Sequence, residues 1–234
     1  MTHSLGSLAP VNIAREDPEA FAPTDYLIEL GTSPVSFQGS QPARRSLETR
    51  VREAAARPGV LLTGEVAIEI EWFLHEKLKW ESPNVLSSPD LDNILKPIID
   101  GLCGPTRLLI DDCQIQSIAC NWIDWPSETE QKFTIRARPN LTDDRLHHQT
   151  LTWIDMGDGL CWPIPSSLDA GAQLFLVQRF EEALERRRQF LEFGVSEYQA
   201  GLLMPIQRRF HRARLQKHGF IVAPVADYKM KLSR

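Results

Sequence analysis

No stretch of this chain approaches the ~20 consecutive apolar residues that a membrane-spanning helix requires. The first residues, Met-Thr-His-Ser-Leu-Gly, have neither the basic start nor the apolar run of a secretion signal, so a cytoplasmic protein is expected. There are only four cysteines, Cys103, Cys113, Cys120 and Cys161, and none of them forms a C-x-x-C pair. That spacing disfavours thiolate metal centres, redox motifs and a disulfide-stapled secreted scaffold; small buried thiols are expected instead. Internal repeats and low-complexity tracts are also missing. A general excess of basic charge is lacking too, because the net charge is −5. Residues 1–140 hold 13 Lys/Arg against 20 Asp/Glu, and residues 141–234 hold 13 against 11. Acid therefore concentrates in the first part and a slight basic excess in the second, which argues against an indiscriminate polyanion binder.

With 42% apolar and 24% charged residues over 234 positions, the composition is that of an ordinary globular chain. Its length suits one core of roughly 100–150 residues plus an appendage. Residues 1–24 show no periodicity and read as a loose lead-in. Tyr26–Leu30 is a short strand candidate, and the Gly/Ser/Pro-rich stretch 31–41 is a loop. Pro42 then suits the first turn of a helix running to about Ala56, ahead of Pro58, with Leu47, Val51, Ala54 and Ala55 as its buried stripe. From Glu65 to Leu74 the pattern alternates: Val66, Ile68, Ile70, Trp72 and Leu74 face one way, and Glu65, Glu69 and Glu71 the other. A polar loop, 75–88, follows. Strands are expected over 114–123 and over 132–138, where Phe133, Ile135 and Ala137 point inward. Trp125-Pro126-Ser127 between them is a hairpin-like turn signal. Strand, helix, strand, helix, strand, strand describes a small α/β domain on one mixed sheet. Residues 141–234 form a separate, mainly helical extension: a hairpin over 150–165 around Gly157-Asp158-Gly159, a helix over 168–194 (Leu174, Val177, Phe180, Leu184, Leu191), and a helical stretch over 196–217 interrupted by Pro205.

The segment Pro89-Asp90-Leu91-Asp92-Asn93-Ile94-Leu95-Lys96-Pro97-Ile98-Ile99-Asp100-Gly101-Leu102 carries the chemistry. Leu91, Ile94/Leu95, Ile98/Ile99 and Leu102 recur at helical spacing. Proline is tolerated only near a helix start, so Pro97 places the N-terminus near Asp92 or Asn93, either of which can cap it. Asp90 and Asp92 then lie in an extended lead-in with both side chains on one side, where two carboxylates can share a hard divalent cation. Lys96, four residues after Asp92, comes round to the same side and can steady a phosphate oxygen. Next come Leu108-Leu109-Ile110-Asp111-Asp112-Cys113-Gln114-Ile115, an acidic pair where the chain enters a strand. Only one of Asp111 and Asp112 can face a metal; the other caps a turn or sits in solvent. A calcium EF-hand is disfavoured, because its glycine and later glutamate are missing.

The combination P-D-x-D-N-x-x-K-x-x-x-D-x-L with the later I-D-D-x-Q-I resembles the RusA family of Holliday-junction resolvases over about residues 25–139. The resemblance implies a homodimeric α/β endodeoxyribonuclease using Mg²⁺, with Mn²⁺ able to substitute. In it Asp90, Asp92 and Asp112 hold the metal and Lys96 is required for activity, while Asn93, Asp100, Asp111 and Gln114 match positions that support the site. The implied reaction is hydrolysis of a phosphodiester in branched DNA. Family members are often small and basic, whereas this domain is acidic. Arg208, Arg209, Arg212, Arg214 and Lys217 in the extension are therefore candidates for contacts to DNA phosphates. Trp122 and Trp125 can stack on unpaired bases but suit packing better, and His147-His148 has no partner at metal spacing. Two other readings compete: a DNA-binding or complex-forming protein that keeps the fold without turnover, and a phosphohydrolase that cleaves mononucleotides and ignores branched DNA.

Overall fold

The computed structural model describes residues 25–77, 91–141, 144–147, 151–157, 159–202 and 210–233, with no side chains for 201 and 202. The lead-in at 1–24, most of the polar loop, and the tail arginines Arg208 and Arg209 lie outside the described residues. The chain is mixed α/β and forms two compact units, residues 1–147 and 148–234.

The first unit is built on a four-stranded sheet in the order β1-β5-β3-β4. These strands are β1 (Tyr26–Leu30), β3 (Val66–Leu74), β4 (Ile115–Asp124) and β5 (Lys132–Pro139). Alternation puts Tyr26, Ile28 and Leu30 of β1, the five apolar residues from Val66 to Leu74 of β3, and Phe133, Ile135 and Ala137 of β5 into one buried cluster. Two helices cover that face: α1 (Gln41–Ala56) and α2 (Leu91–Leu102). The Ser40 hydroxyl caps α1 by accepting from the Ala43 N–H at 3.4 Å, and Leu47, Val51, Ala54 and Ala55 are its buried stripe. The opposite face of the sheet is charged: Arg136 pairs with Asp25 at 2.6 Å and Glu69 at 3.6 Å, and Lys132 with Glu29 at 3.7 Å.

β3 and β4 are parallel, and α2 is the crossover that parallel strands need. β5 does not fold back on β4. It pairs antiparallel with both β3 and β1 and so lies between them. The turn residues Trp125-Pro126-Ser127 thus belong to a connection that passes β3, not to a tight hairpin; turn chemistry marks where a chain bends, not which strand it meets. Trp125 packs edge-on against Phe73 at 5.4 Å, and Trp122 against Trp72 at 6.2 Å. Two three-residue strands escaped the sequence reading, β2 (Val60–Leu62) and β6 (Arg145–His147), which pair antiparallel and carry the first unit to His147. All three residues of β2 are buried, so the run has no alternation by which to recognise it.

Pro97 also falls elsewhere than expected. It lies in the interior of α2, and Asp92 sits in the helix's first turn, not in an extended lead-in or cap. A proline there leaves the carbonyl four residues back without its helical partner. That carbonyl, on Asn93, is taken by the Phe37 backbone N–H at 2.7 Å, so the loop before α1 supplies the bond that the proline removes. Close packing of α1 on α2 depends on Gly101: a Cβ there would lie 2.7 Å from the Val51 Cβ. Ala at a helical Gly position gains about 1 kcal/mol in propensity, but prising two packed helices apart costs about 1–3 kcal/mol. Gly101→Ala is therefore expected to lower stability by about 1 kcal/mol in urea unfolding; a more stable variant would show that the helices have room.

The second unit carries a sheet in the order β10-β7-β8-β9. β7 (Leu151–Asp155) and β8 (Leu160–Pro165) form the antiparallel hairpin, β10 (Ile221–Pro224) runs parallel to β7, and β9 (Phe210–His211) flanks β8. Helix α3 (Ala170–Glu192), capped by Asp169, packs its first half here. Val177 joins Ile154, Ile164 and Tyr228 in the core, and Phe180 stacks on Trp162 at 5.1 Å. The expected helical stretch 196–217 is broken up: α4 (Glu197–Leu202) and α5 (Arg212–Lys217) are separated in sequence by β9, and α6 (Val225–Leu232) closes the unit. Phe210 explains the strand, since it packs edge-on against the buried Trp153 at 5.3 Å. The four thiols are free, but only Cys103 and Cys161 are buried; Cys113 and Cys120 are half-buried. Burial, reinforced by the charge of Asp155, pushes the Cys161 thiol up to about 12.

Candidate active site

The acidic turn is held by Gln114. Asp112–Gln114 form a single 3-10 turn whose N-cap is Asp111, in extended backbone. The Asp111 carboxylate accepts from the Cys113 N–H at 3.0 Å. The Gln114 side-chain oxygen accepts from the N–H groups of Ile110 at 2.7 Å and Asp111 at 3.1 Å. Its amide nitrogen donates to the carbonyls of Leu62 and Gly64, both at 2.8 Å. Gln114 is fully buried (0% exposed) with both ends of its amide used, so it ties the turn to the end of β2 and the loop that follows it. The sequence signal for this was present as D-x-x-Q, a reciprocal capping pattern; the site reading missed that the same glutamine would also reach two carbonyls some fifty residues away.

With Asp111 spent on the turn and 1% exposed, Asp112 is the acid that faces outward. Its carboxylate lies 3.5 Å from the Lys96 ammonium, which is itself 2.6 Å from the Asp100 carboxylate. Partial burial works to lower the Lys96 pKa, but the hydrogen bond and charge of Asp100, joined by Asp112, outweigh it and hold the ammonium above its ordinary value. One helical turn before Lys96, Asp92 is exposed on the same side of α2. The fold thus joins the two sequence blocks through Lys96 and Asp112, with Asp92 beside them. Asp90 lies outside the described residues. Among the described residues no three potential metal ligands are grouped. The donors that are described, Asp92 and Asp112, are solvent-reachable hard carboxylates, the type that Mg²⁺ takes while keeping several waters.

Arg107, which the sequence reading passed over, belongs to the same neighbourhood: its guanidinium donates to the Asp100 carbonyl at 2.9 Å. The tail candidates sit in the second unit. Arg212 pairs with the buried Asp155 at 2.9 Å, while Arg214 and Lys217 are exposed on α5. Trp122 and Trp125 are half-buried against the sheet, the packing role preferred for them.

No curated protein matches the chain. A family model does: Endodeoxyribonuclease RusA aligns with residues 38–137, somewhat less than half of the chain. The matched stretch runs from the loop before α1 to β5 and contains both acidic blocks, Lys96 and the glutamine that pins the turn. Over this stretch the chain is similar to the RusA endodeoxyribonuclease family.

Proposed function

We propose that this protein is a Mg²⁺-dependent endodeoxyribonuclease that cuts branched DNA, four-way junctions foremost, acting in the cytoplasm as a homodimer. The nuclease is assigned to residues 1–140, and 141–234 are read as an extension with a task of its own. The observation that supports this best is the meeting of Lys96 with Asp112, two residues from separate sequence blocks, at 3.5 Å beside Asp92.

Asp90, Asp92 and Asp112 would hold the metal, which when bound polarises the scissile phosphate and lowers the pKa of a water. The chain's own residues do the rest. The Gln114 bonds fix the height and direction of Asp112, which reduces the reorganisation needed when charge develops. Lys96 carries a positive charge at the acids and can turn from Asp112 to a phosphoryl oxygen without leaving Asp100. Asp100 thus positions the ammonium, and Asp111 positions the turn. A two-fold dimer fits a junction that presents two equivalent strands. Arg208, Arg209, Arg212, Arg214 and Lys217 remain candidates for phosphate contact from the extension, with Arg212 already drawn toward Asp155.

The decisive assay compares four-way, forked and linear DNA of matched sequence, with Mg²⁺ and with EDTA. Cutting of the four-way junction in Mg²⁺ alone is expected. Equal cutting of linear duplex would remove the junction preference, and cleavage of mononucleotides alone would replace the proposal with a phosphohydrolase.

A further inference from the structure

The first unit is acidic, but its charge is unevenly spread. α1 and its C-cap carry Arg44, Arg45, Arg50, Arg52 and Arg57 against Glu48 and Glu53. Arg45, Glu48 and Arg52 follow one another at steps of three and four down one flank of the helix, while Arg50 and Arg57, seven apart, run down the other. The first flank is the one toward α2, since the Glu48 carbonyl would lie 3.2 Å from a Cβ on Gly101. Arg107 comes to this side from the turn after α2. Gly104, at φ +145, makes room for it: a Cβ there would lie 2.9 Å from the Arg107 Nε. Asp100 anchors two cations at once, Arg107 on its carbonyl at 2.9 Å and Lys96 on its carboxylate at 2.6 Å. Arg107 and Arg52 sense each other: partial burial first, and then the charge of Arg52, depress the Arg107 pKa, against the opposing pull of Glu48 and Asp100. Glu48 is bonded to Arg52 at 2.6 Å, so this flank sets three guanidiniums, Arg45, Arg52 and Arg107, against one carboxylate, and Asp100 links Arg107 to Lys96.

We propose that Arg52 and Arg107 together grip a backbone phosphate of the DNA next to the one to be cut, holding the strand along the C-terminal half of α2. The planar fork of a guanidinium matches phosphate oxygens. Two guanidiniums from separate elements, brought together beside α2, would make a positioning contact that orients the strand even on a net-acidic domain. The inference rests on the nuclease reading and adds to it a place where the substrate lies.

The test uses the full chain with Arg52→Gln/Arg107→Gln and, as a control of equal charge change, Arg50→Gln/Arg57→Gln on the opposite flank. Junction binding is measured by fluorescence anisotropy in EDTA across a NaCl series. The first pair is expected to lose affinity by on the order of tenfold and to flatten the log–log salt slope by about 1, with the control near wild type. Arg52→Gln alone, which breaks only a surface pair with Glu48, keeps the test valid if loss of Arg107 harms folding; it should show part of the same loss. Equal losses in both pairs would reduce the effect to net charge and overturn the proposal, as would no loss in either. If the wild type cuts junctions and the double variant binds them normally, this inference alone fails; if the wild type neither binds nor cuts, both fall.

Discussion

Asp112→Asn is expected to abolish measurable Mg²⁺-dependent cutting of a four-way junction, a fall of about 10³-fold or more, while the protein stays folded. The size follows from what a carboxylate ligand does: metal-centred stabilisation of transition-state charge amounts to several kcal/mol, and ~4 kcal/mol corresponds to about a thousandfold. The separation from stability follows from exposure. The Asp112 side chain is 34% accessible and its ion pair with Lys96 spans 3.5 Å in a solvent-facing position, so its removal should shift unfolding by no more than about 0.5 kcal/mol. Lys96 also keeps its shorter bond to Asp100. Asp92→Asn is expected to behave alike. Junction binding without metal should survive in both, because removing negative charge cannot weaken attraction to phosphate. Single-turnover cleavage beside a urea melt checks the pair of expectations; undiminished cutting by Asp112→Asn would defeat the metal-site assignment.

Gln114→Leu is expected to act through the fold, and strongly. The side chain satisfies two N–H groups and two carbonyls in a fully buried place. Leucine fills a similar volume and offers none of those bonds. Each buried group left without a partner costs about 1–3 kcal/mol, so a loss of about 4 kcal/mol is expected even if one or two groups find water or shift. That is a large share of the roughly 5–15 kcal/mol that holds a domain together. Urea unfolding should show the midpoint fall sharply, and cleavage should fall with it, since Asp112 stands on the turn that loses its tie. A change below about 1 kcal/mol would mean that the turn is held by its neighbours instead.

Most of the first unit could be read from the chain because its signals are local. Alternation marked β3 and β5, β1 stood out as a short strand candidate, and the stripe from Leu47 to Ala55 marked α1. The features that escaped are those settled by distant partners. Pro97 argued for a helix start, yet its cost is met by the Phe37 N–H from a loop some sixty residues earlier. β2 and β6 stabilise each other and have little pattern of their own. In the second unit, β9 exists because Phe210 finds Trp153; nothing in the basic run around it announces that contact. Similar reasoning applies to the site. That one acid of the pair would cap a turn was legible from the residues, and the resemblance pointed to Asp112 as the other. The physical reason, the capping box between Asp111 and Gln114, emerges only in the fold. The Arg107 contact with a carbonyl leaves no trace in residue types at all.

The position of β5 in the sheet bears on how the protein is made. The last long strand of the first unit to leave the ribosome is the one that lies between β1 and β3. Until residues 132–139 are synthesised, the first strand has no neighbour and the hydrogen-bonding rim of β3 stays open. A nascent chain halted short of that point would therefore present bare strand edges, the condition under which polypeptides stick to one another. Long-range pairing of this kind also slows folding. Expression of fragments ending before Lys132 should accordingly give insoluble material, whereas chains that include β5 can close the sheet before the remaining residues emerge.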